Sequence, residues 1–238
     1  MDLSTTEVRI WTFRFPGEEK AAWSEAWLSE EERDRAERYH FPADRQRFTY
    51  FHAMMRRLLA SVLSKGTDAR ELRFQAGEFG KPWLVDVPQL HFNLSHSQDQ
   101  AVLAATWIGP VGIDVERVDD EFPVQEIARE YFVGEERAAI ENAPTKDQRT
   151  LRFFQYWTAK EAVMKVTGLG MSLEPRSIEL ALETGTACPV GFHHVAGFPR
   201  ASVDWRLRTK ALGNAAILSL VCPSHATEVQ QGEATFEI

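Results

Sequence analysis

The stretch FFQYWTAKEAVMKVTG, Phe153 to Gly168, constrains this chain most. Its apolar residues recur at helical spacing, and positions four apart stack on one face of a helix, so Trp157, Glu161 and Lys165 share a side. A second stretch, GIDVERV from Gly112 to Val118, is β-branched, and its period of two sends Asp114 and Glu116 to one side of a strand. If strand and helix face each other, three carboxylates and a lysine converge. That layout suits a divalent cation held against a phosphate. Each piece also has a plainer reading: Asp114 and Glu116 as the solvated side of a strand, Glu161 and Lys165 as a surface ion pair. Val111, Ile113 and Val115 instead favour an internal strand, and Phe153, Phe154 and Trp157 turn the helix face inward. A buried charged pair there needs a reason to exist, because desolvation offsets most of its attraction.

The rest of the chain is that of an ordinary globular protein. Its 238 residues, 44% hydrophobic and 26% charged, suffice for one large domain or two small ones. The start, MDLSTTEVRI, has no basic region followed by an apolar run. No stretch approaches the roughly 20 apolar residues that span a bilayer, so the expectation is a cytoplasmic protein with no membrane partner. Cys188 and Cys222 lie far apart without CxxC spacing, which argues against zinc and favours two buried thiols over a disulfide. The net charge of −8 argues against nucleic acid as the main partner. Arg33, Arg35, Arg38, Arg45, Arg47, Arg56 and Arg57 nevertheless crowd one segment, and a local basic pocket suits a small anionic ligand. Most of them read equally well as a solvated helix face. Arg47 and Arg56 interleave with Phe48, Phe51 and Met55, and an arginine at the margin of a core can grip a phosphate bidentately.

Val8 to Phe13 reads as a strand. Ser29 and Glu32 form a capping-box pattern that starts a helix from about Glu30 to Tyr39, and Pro42 opens a longer one over roughly Ala43 to Lys65 with Gly66 as terminator. Leu72 to Val118 then reads as a meander of short antiparallel strands, including LRFQAGEFGKPWLV, LHFNLS, QAVLAATW and VGIDVE. FNLSHS ends its strand on Asn93, Ser95 and His96, a polar end suited to phosphate; no acidic partner at a recognised spacing supports a hydrolase triad. Helices follow over Val124–Tyr131, Glu135–Glu141 and about Lys146–Thr167, then three strands in SIELAL, VDWRLRTK and NAAILSLVC. This is an α+β order occurring twice, without a residue-level repeat. It divides the chain into an N-terminal lobe over 1–106, a C-terminal lobe over 107–226 that carries the GIDVE strand and the Phe153–Gly168 helix, and a loosely held tail over 227–238.

Four stretches carry a resemblance to one family: GKPWL at Gly80–Leu84, FNLSHS at Phe92–Ser97, GIDVE at Gly112–Glu116 and WTAKEAVMK at Trp157–Lys165, with RYHF at Arg38–Phe41 extending it. Together they resemble the 4′-phosphopantetheinyl transferases of the longer, two-lobed kind. The resemblance implies two similar lobes in pseudo-twofold arrangement, each an antiparallel sheet packed with a long helix, with the active site at the seam. It implies transfer of 4′-phosphopantetheine from coenzyme A to a serine of an apo carrier protein, by a monomer that uses magnesium. By the same resemblance Asp114, Glu116 and Glu161 are the metal ligands, and Lys165 meets the diphosphate. His96, Ser95, Arg47 and Arg35 hold the phosphates at the nucleotide end, with Lys81 and Pro82 beside the adenine. Glu161 is the favoured base and Glu136 a further candidate. Trp157 is expected to pack the helix against the sheet, and the helices over Val124–Glu141, with Arg129 and Arg137, to meet the carrier. Two features depart from the family: Glu32 stands where a basic residue is common, and nothing beyond about Ser172 matches a motif. A metal-dependent phosphodiesterase could use the same three carboxylates without a carrier, whereas a non-catalytic protein that binds coenzyme A or a carrier would keep the pocket and lose the metal ligands, all three of which are present here.

Overall fold

The structure is a computed structural model describing residues 3–63, 66–213 and 215–234. The N-terminal half begins with β1 (Glu7–Arg14), then α1 (Glu18–Ala21), α2 (Glu30–Glu37) and the long α3 (Pro42–Val62). Ser29 and Glu32 close the anticipated capping box on α2, and Pro42 occupies the first turn of α3. The last residue expected for α3, Lys65, lies outside the described residues. The hairpin of β2 (Phe74–Ala76) and β3 (Pro82–Leu84) follows, then β4 (His91–Ser97) and β5 (Gln100–Thr106).

The C-terminal half runs from β6 (Gly112–Arg117) through α4 (Val124–Tyr131), α5 (Gly134–Glu141) and α6 (Lys146–Thr167). Thr145 caps the start of α6, and Gly168, in the left-handed region at φ +74°, ends it. After α6 come β7 (Ile178–Leu182), β8 (Pro189–Val195), α7 (Ala201–Asp204), β9 (Trp205–Leu212), β10 (Ala216–Pro223) and β11 (Glu228–Glu233). No described helix is long and apolar enough to cross a membrane.

The architecture is α+β with two lobes. One sheet has the order β11-β1-β5-β4 and the other β6-β10-β9, with β2-β3 and β7-β8 as separate pairs. Two departures from expectation concern the end of the chain. Residues 228–233, expected in a loose tail, form β11, which pairs in parallel with β1 and makes that sheet mixed. β8, unmarked by any strand signal in the sequence reading, pairs antiparallel with β7.

Alternation along the strands builds three cores. From β5, Ala101, Leu103 and Ala105 pack with Phe51, Met55 and Leu59 of α3. Val102 and Ala104 turn the other way, to meet Val8 and Ile10 of β1, Ile113 and Val115 of β6, and Leu218 and Leu220 of β10. This second cluster joins the two sheets. The third cluster gathers Ala159, Ala162, Val163 and Val166 of α6 with Ile217 and Val221 of β10. Since Ile113 and Val115 face the inter-sheet core, Asp114 and Glu116 face α6.

Gly112 sets how closely β6 lies beneath α6. A Cβ at this position would lie far inside van der Waals contact with the Ala162 carbonyl oxygen and the Val166 nitrogen, and 3.0 Å from Val166 Cα. These are backbone atoms, so relief requires the helix itself to move. Gly112→Ala should therefore lower the unfolding free energy by about 1–3 kcal/mol, the usual cost of overpacking. Urea denaturation measures this, and an unchanged midpoint and slope would show that α6 has room to spare.

Candidate active site

β6, β4 and α6 bring one lysine among three carboxylates. Asp114 is 1% exposed, and its Oδ1 accepts from Lys165 Nζ at 2.5 Å and from Ser95 Oγ at 2.8 Å. Lys165 Nζ also donates to Ser95 Oγ at 2.8 Å and stands 3.9 Å from Glu161 Oε2. Glu116 accepts from Ser97 Oγ at 2.7 Å, and Glu161 lies one turn of α6 from both Trp157 and Lys165. The ammonium occupies the middle of the group. As the side chains stand, no three His, Cys, Asp or Glu among the described residues are gathered closely enough to hold a metal ion.

The carboxylates nonetheless carry more negative charge than one lysine offsets. Burial, and next to it Asp114, pushes Glu161 up to about 7. Burial and the Asp114 charge also raise Glu116 above the usual carboxylate range. Asp114 Oδ2 is buried and accepts no hydrogen bond, an arrangement that costs free energy unless a cation or donor meets it. A set of hard oxygens with an unsatisfied buried member fits a divalent ion such as magnesium.

A cationic group lies next to the carboxylates. His96, at the end of β4, rests on Phe51 with ring centroids 5.1 Å apart. Its pKa is held below the ordinary histidine value by burial first, then by Lys165, His52 and Arg47. Arg47 Nε donates to Asp99 Oδ1 at 2.7 Å. Arg35 lies over Phe48, 5.2 Å from the ring centroid, and Phe48 stacks on His52 at 4.0 Å. His52 is absent from the sequence reading. Its place on the α3 face shared with Arg56 was the available signal. A cavity of about 200 Å³ opens beside Lys165, lined also by Phe79, Lys81, Pro82, Asn93 and Gly170. Cations and a cavity beside hard oxygens can bind a phosphorylated ligand and its counter-ion together.

Comparison with known proteins identifies the family. A model of the 4′-phosphopantetheinyl transferase superfamily matches residues 110–217, and one described as 4′-phosphopantetheinyl transferase, N-terminal, matches 15–108. The chain is 34% identical to the 4′-phosphopantetheinyl transferase HetI of Nostoc sp., over 76% of this chain and 77% of the relative. The chain belongs to the 4′-phosphopantetheinyl transferase family. It is also 33% identical to the 4′-phosphopantetheinyl transferase Sfp of Bacillus subtilis, over 66% of this chain and 67% of the relative. A phosphopantetheinyl transferase of Thraustochytrium sp. is 30% identical, over 76% and 68%.

Several residues singled out in this transferase's sequence stand elsewhere than expected. Glu136 is 2% exposed and forms an ion pair with Lys160 at 2.7 Å; its oxygens also accept from the backbone nitrogens of Leu180 at 2.8 Å and Val133 at 3.4 Å. Lys160 donates in turn to the carbonyls of Pro175 and Ile178. Glu136 is thus a tie between α5, α6 and β7, enclosed by partners and unsuited to meeting a substrate hydroxyl.

Arg56 is likewise enclosed, bonding Glu32 at 2.6 Å and the carbonyls of Ala69 and Leu72 at 3.0 Å. Glu32, the departure from the family pattern, accepts from Arg56, His52 and the Ser29 nitrogen. The Lys81 ammonium donates to the carbonyls of Val111 at 2.9 Å and Lys165 at 2.6 Å, and burial lowers its pKa to about 8. It clamps the end of α6 to the β2–β3 turn, leaving Pro82 on the cavity wall. Trp157 stacks on Phe153 of α6 with centroids 6.0 Å apart and meets Tyr131 of α4 edge-on at 5.5 Å, at the margin of the core that α6 shares with β7–β10.

Removing one partner of a buried pair leaves the other uncompensated, at a cost of about 3–5 kcal/mol. Glu136→Ala should lose stability of that order in chemical denaturation. Lost turnover with an unchanged denaturation midpoint would restore Glu136 as a base.

Proposed function

We propose that the seam transfers 4′-phosphopantetheine from coenzyme A to a serine hydroxyl of an apo carrier domain, with magnesium, releasing adenosine 3′,5′-bisphosphate. The observation that carries this reading is the juxtaposition of the buried, partly unsatisfied Asp114 with Lys165 and the cationic group around His96. The serine oxygen forms a bond to the β-phosphorus, and the bond to the adenosine bisphosphate oxygen breaks. Magnesium, held by Asp114, Glu116 and Glu161, would supply charge neutralisation on the diphosphate as the leaving group departs.

The chain's own residues do the positioning, which dominates phosphoryl transfer. Lys165 meets the diphosphate. His96, Arg47 and Arg35 hold the phosphates at the nucleotide end, and Ser95 orients both Lys165 and Asp114. Pro82 lines the cavity for the adenine. Glu161, half-buried at the open side of the group, takes the serine proton; Asp114 is too deeply buried and Glu136 is enclosed. The carrier docks on α4 and α5, where Arg129 and Arg137 are exposed and can face an acidic partner. A monomer suffices, since one chain supplies both sides of the seam.

Incubating the protein with coenzyme A, magnesium and apo carrier domains should give a carrier whose mass has risen by one phosphopantetheine. Glu161→Gln should abolish the adduct while melting as the wild type does, and reversing the charge at Arg129 and Arg137 should raise the KM for carrier without changing that for coenzyme A. An unmodified carrier of every class, with coenzyme A or another nucleotide hydrolysed instead, would overturn the proposal.

A further inference from the structure

The edges of the two sheets meet along β4 and β6 without a backbone ladder. Instead, alternate β4 side chains take the place of a neighbouring strand's carbonyls. Ile113 N donates to Asn93 Oδ1 at 2.8 Å, Val115 N to Ser95 Oγ at 3.4 Å, and Arg117 N to Ser97 Oγ at 3.1 Å. A period of two puts 93, 95 and 97 on one side of β4 and the three amides on one side of β6. Ser95 and Ser97 also donate onward, to Asp114 and Glu116.

We infer that Ser97 is a positioning residue for Glu116, setting how well the seam holds a divalent cation. The inference rests on the metal role proposed above for Asp114, Glu116 and Glu161. A hydroxyl has one proton and two lone pairs. The Arg117 amide takes up one lone pair and fixes the hydroxyl, so its single proton is aimed at Glu116 Oε2 at 2.7 Å. Glu116 otherwise has a long, half-buried side chain near the end of β6, next to the exposed Arg117. Without Ser97 that carboxylate samples its other rotamers, and a cation must order it on binding. Ser95 does the same for Asp114, but Asp114 is already fixed by burial and Lys165. Among the described residues Glu116 has no ion pair and no second hydrogen bond of that kind, so it depends more heavily on its serine.

The test measures Mn2+ binding directly, by the loss of the free-ion electron paramagnetic resonance signal, without carrier or turnover. Loss of a residue that orients a metal ligand typically weakens metal affinity about 10–100-fold. Ser97→Ala should fall in that range, and Ser97→Thr, which keeps the hydroxyl, should bind as the wild type does. Ser97→Cys keeps the shape with a weaker donor and should also lose affinity, which holds the test open if the alanine variant folds poorly. Wild-type affinity in the folded alanine or cysteine variant, with only a lowered melting temperature, would make Ser97 a structural rung and overturn the inference. Glu116→Gln separates the two levels. If it loses Mn2+ while Ser97→Ala does not, only the role of Ser97 fails. If the wild type binds no Mn2+, or Glu116→Gln binds as the wild type does, the metal role of Glu116 fails and this inference falls with it.

Discussion

The distance between β6 and α6 governs the rest of the site. Gly112 lets the strand run against the backbone of Ala162 and Val166, and two residues later the same face of β6 presents Asp114 to Lys165 at 2.5 Å. Lys165 lies between those two helix residues in sequence, so contact and ion pair are parts of one approach. A helix standing further out would leave Asp114 buried without its cation, and burying an uncompensated carboxylate is costly. Glu161, one turn before Lys165 on the same helix, stands 3.9 Å from that ammonium whatever the distance to β6, and so is carried to the carboxylates of the strand with it.

Two lysines of α6 show the difference between a charge that holds a fold together and one poised for a ligand. Lys160 is fully buried and closed off by Glu136 and two carbonyls, and Glu136 is closed off by Lys160 and two amides. Every strong polar atom in that pair has a partner, as a purely structural buried pair requires. Around Lys165 the accounting does not close. Asp114 Oδ2 lacks a partner, and Glu161 and Glu116 are pushed toward their neutral forms by burial and mutual repulsion. The protein stores this imbalance at the seam, where Lys81 and the rungs from Asn93, Ser95 and Ser97 lock the two lobes together.

Much of this was legible in the sequence because it depends on period. The helical repeat from Phe153 to Gly168 and the alternation in GIDVE placed Asp114, Glu116, Glu161 and Lys165 on facing surfaces, and the structure sets Lys165 Nζ 2.5 Å from Asp114 and 3.9 Å from Glu161. What escaped depends on partners distant in sequence. Glu136 looks free until Lys160 is seen beside it. Lys81 reads as a ligand-binding residue until its ammonium is found on carbonyls at the end of α6. β11 is held through its backbone against β1, and the polar sequence EVQQGE carries no apolar alternation to announce that pairing. Ser97 sat in plain view as the third member of an alternation beginning at Asn93. Its meaning required the amides of β6 opposite.

The central claim is that Asp114, Glu116 and Glu161 form a cation site that operates together with Lys165 and the neighbouring cations on one phosphorylated ligand. The most direct measurement is anomalous diffraction from crystals grown with Mn2+ and coenzyme A. The account predicts a manganese peak among the three carboxylates, with the diphosphate against Lys165 and the nucleotide end toward His96. Coenzyme A bound elsewhere, or bound at the seam with no manganese among those carboxylates, would contradict it.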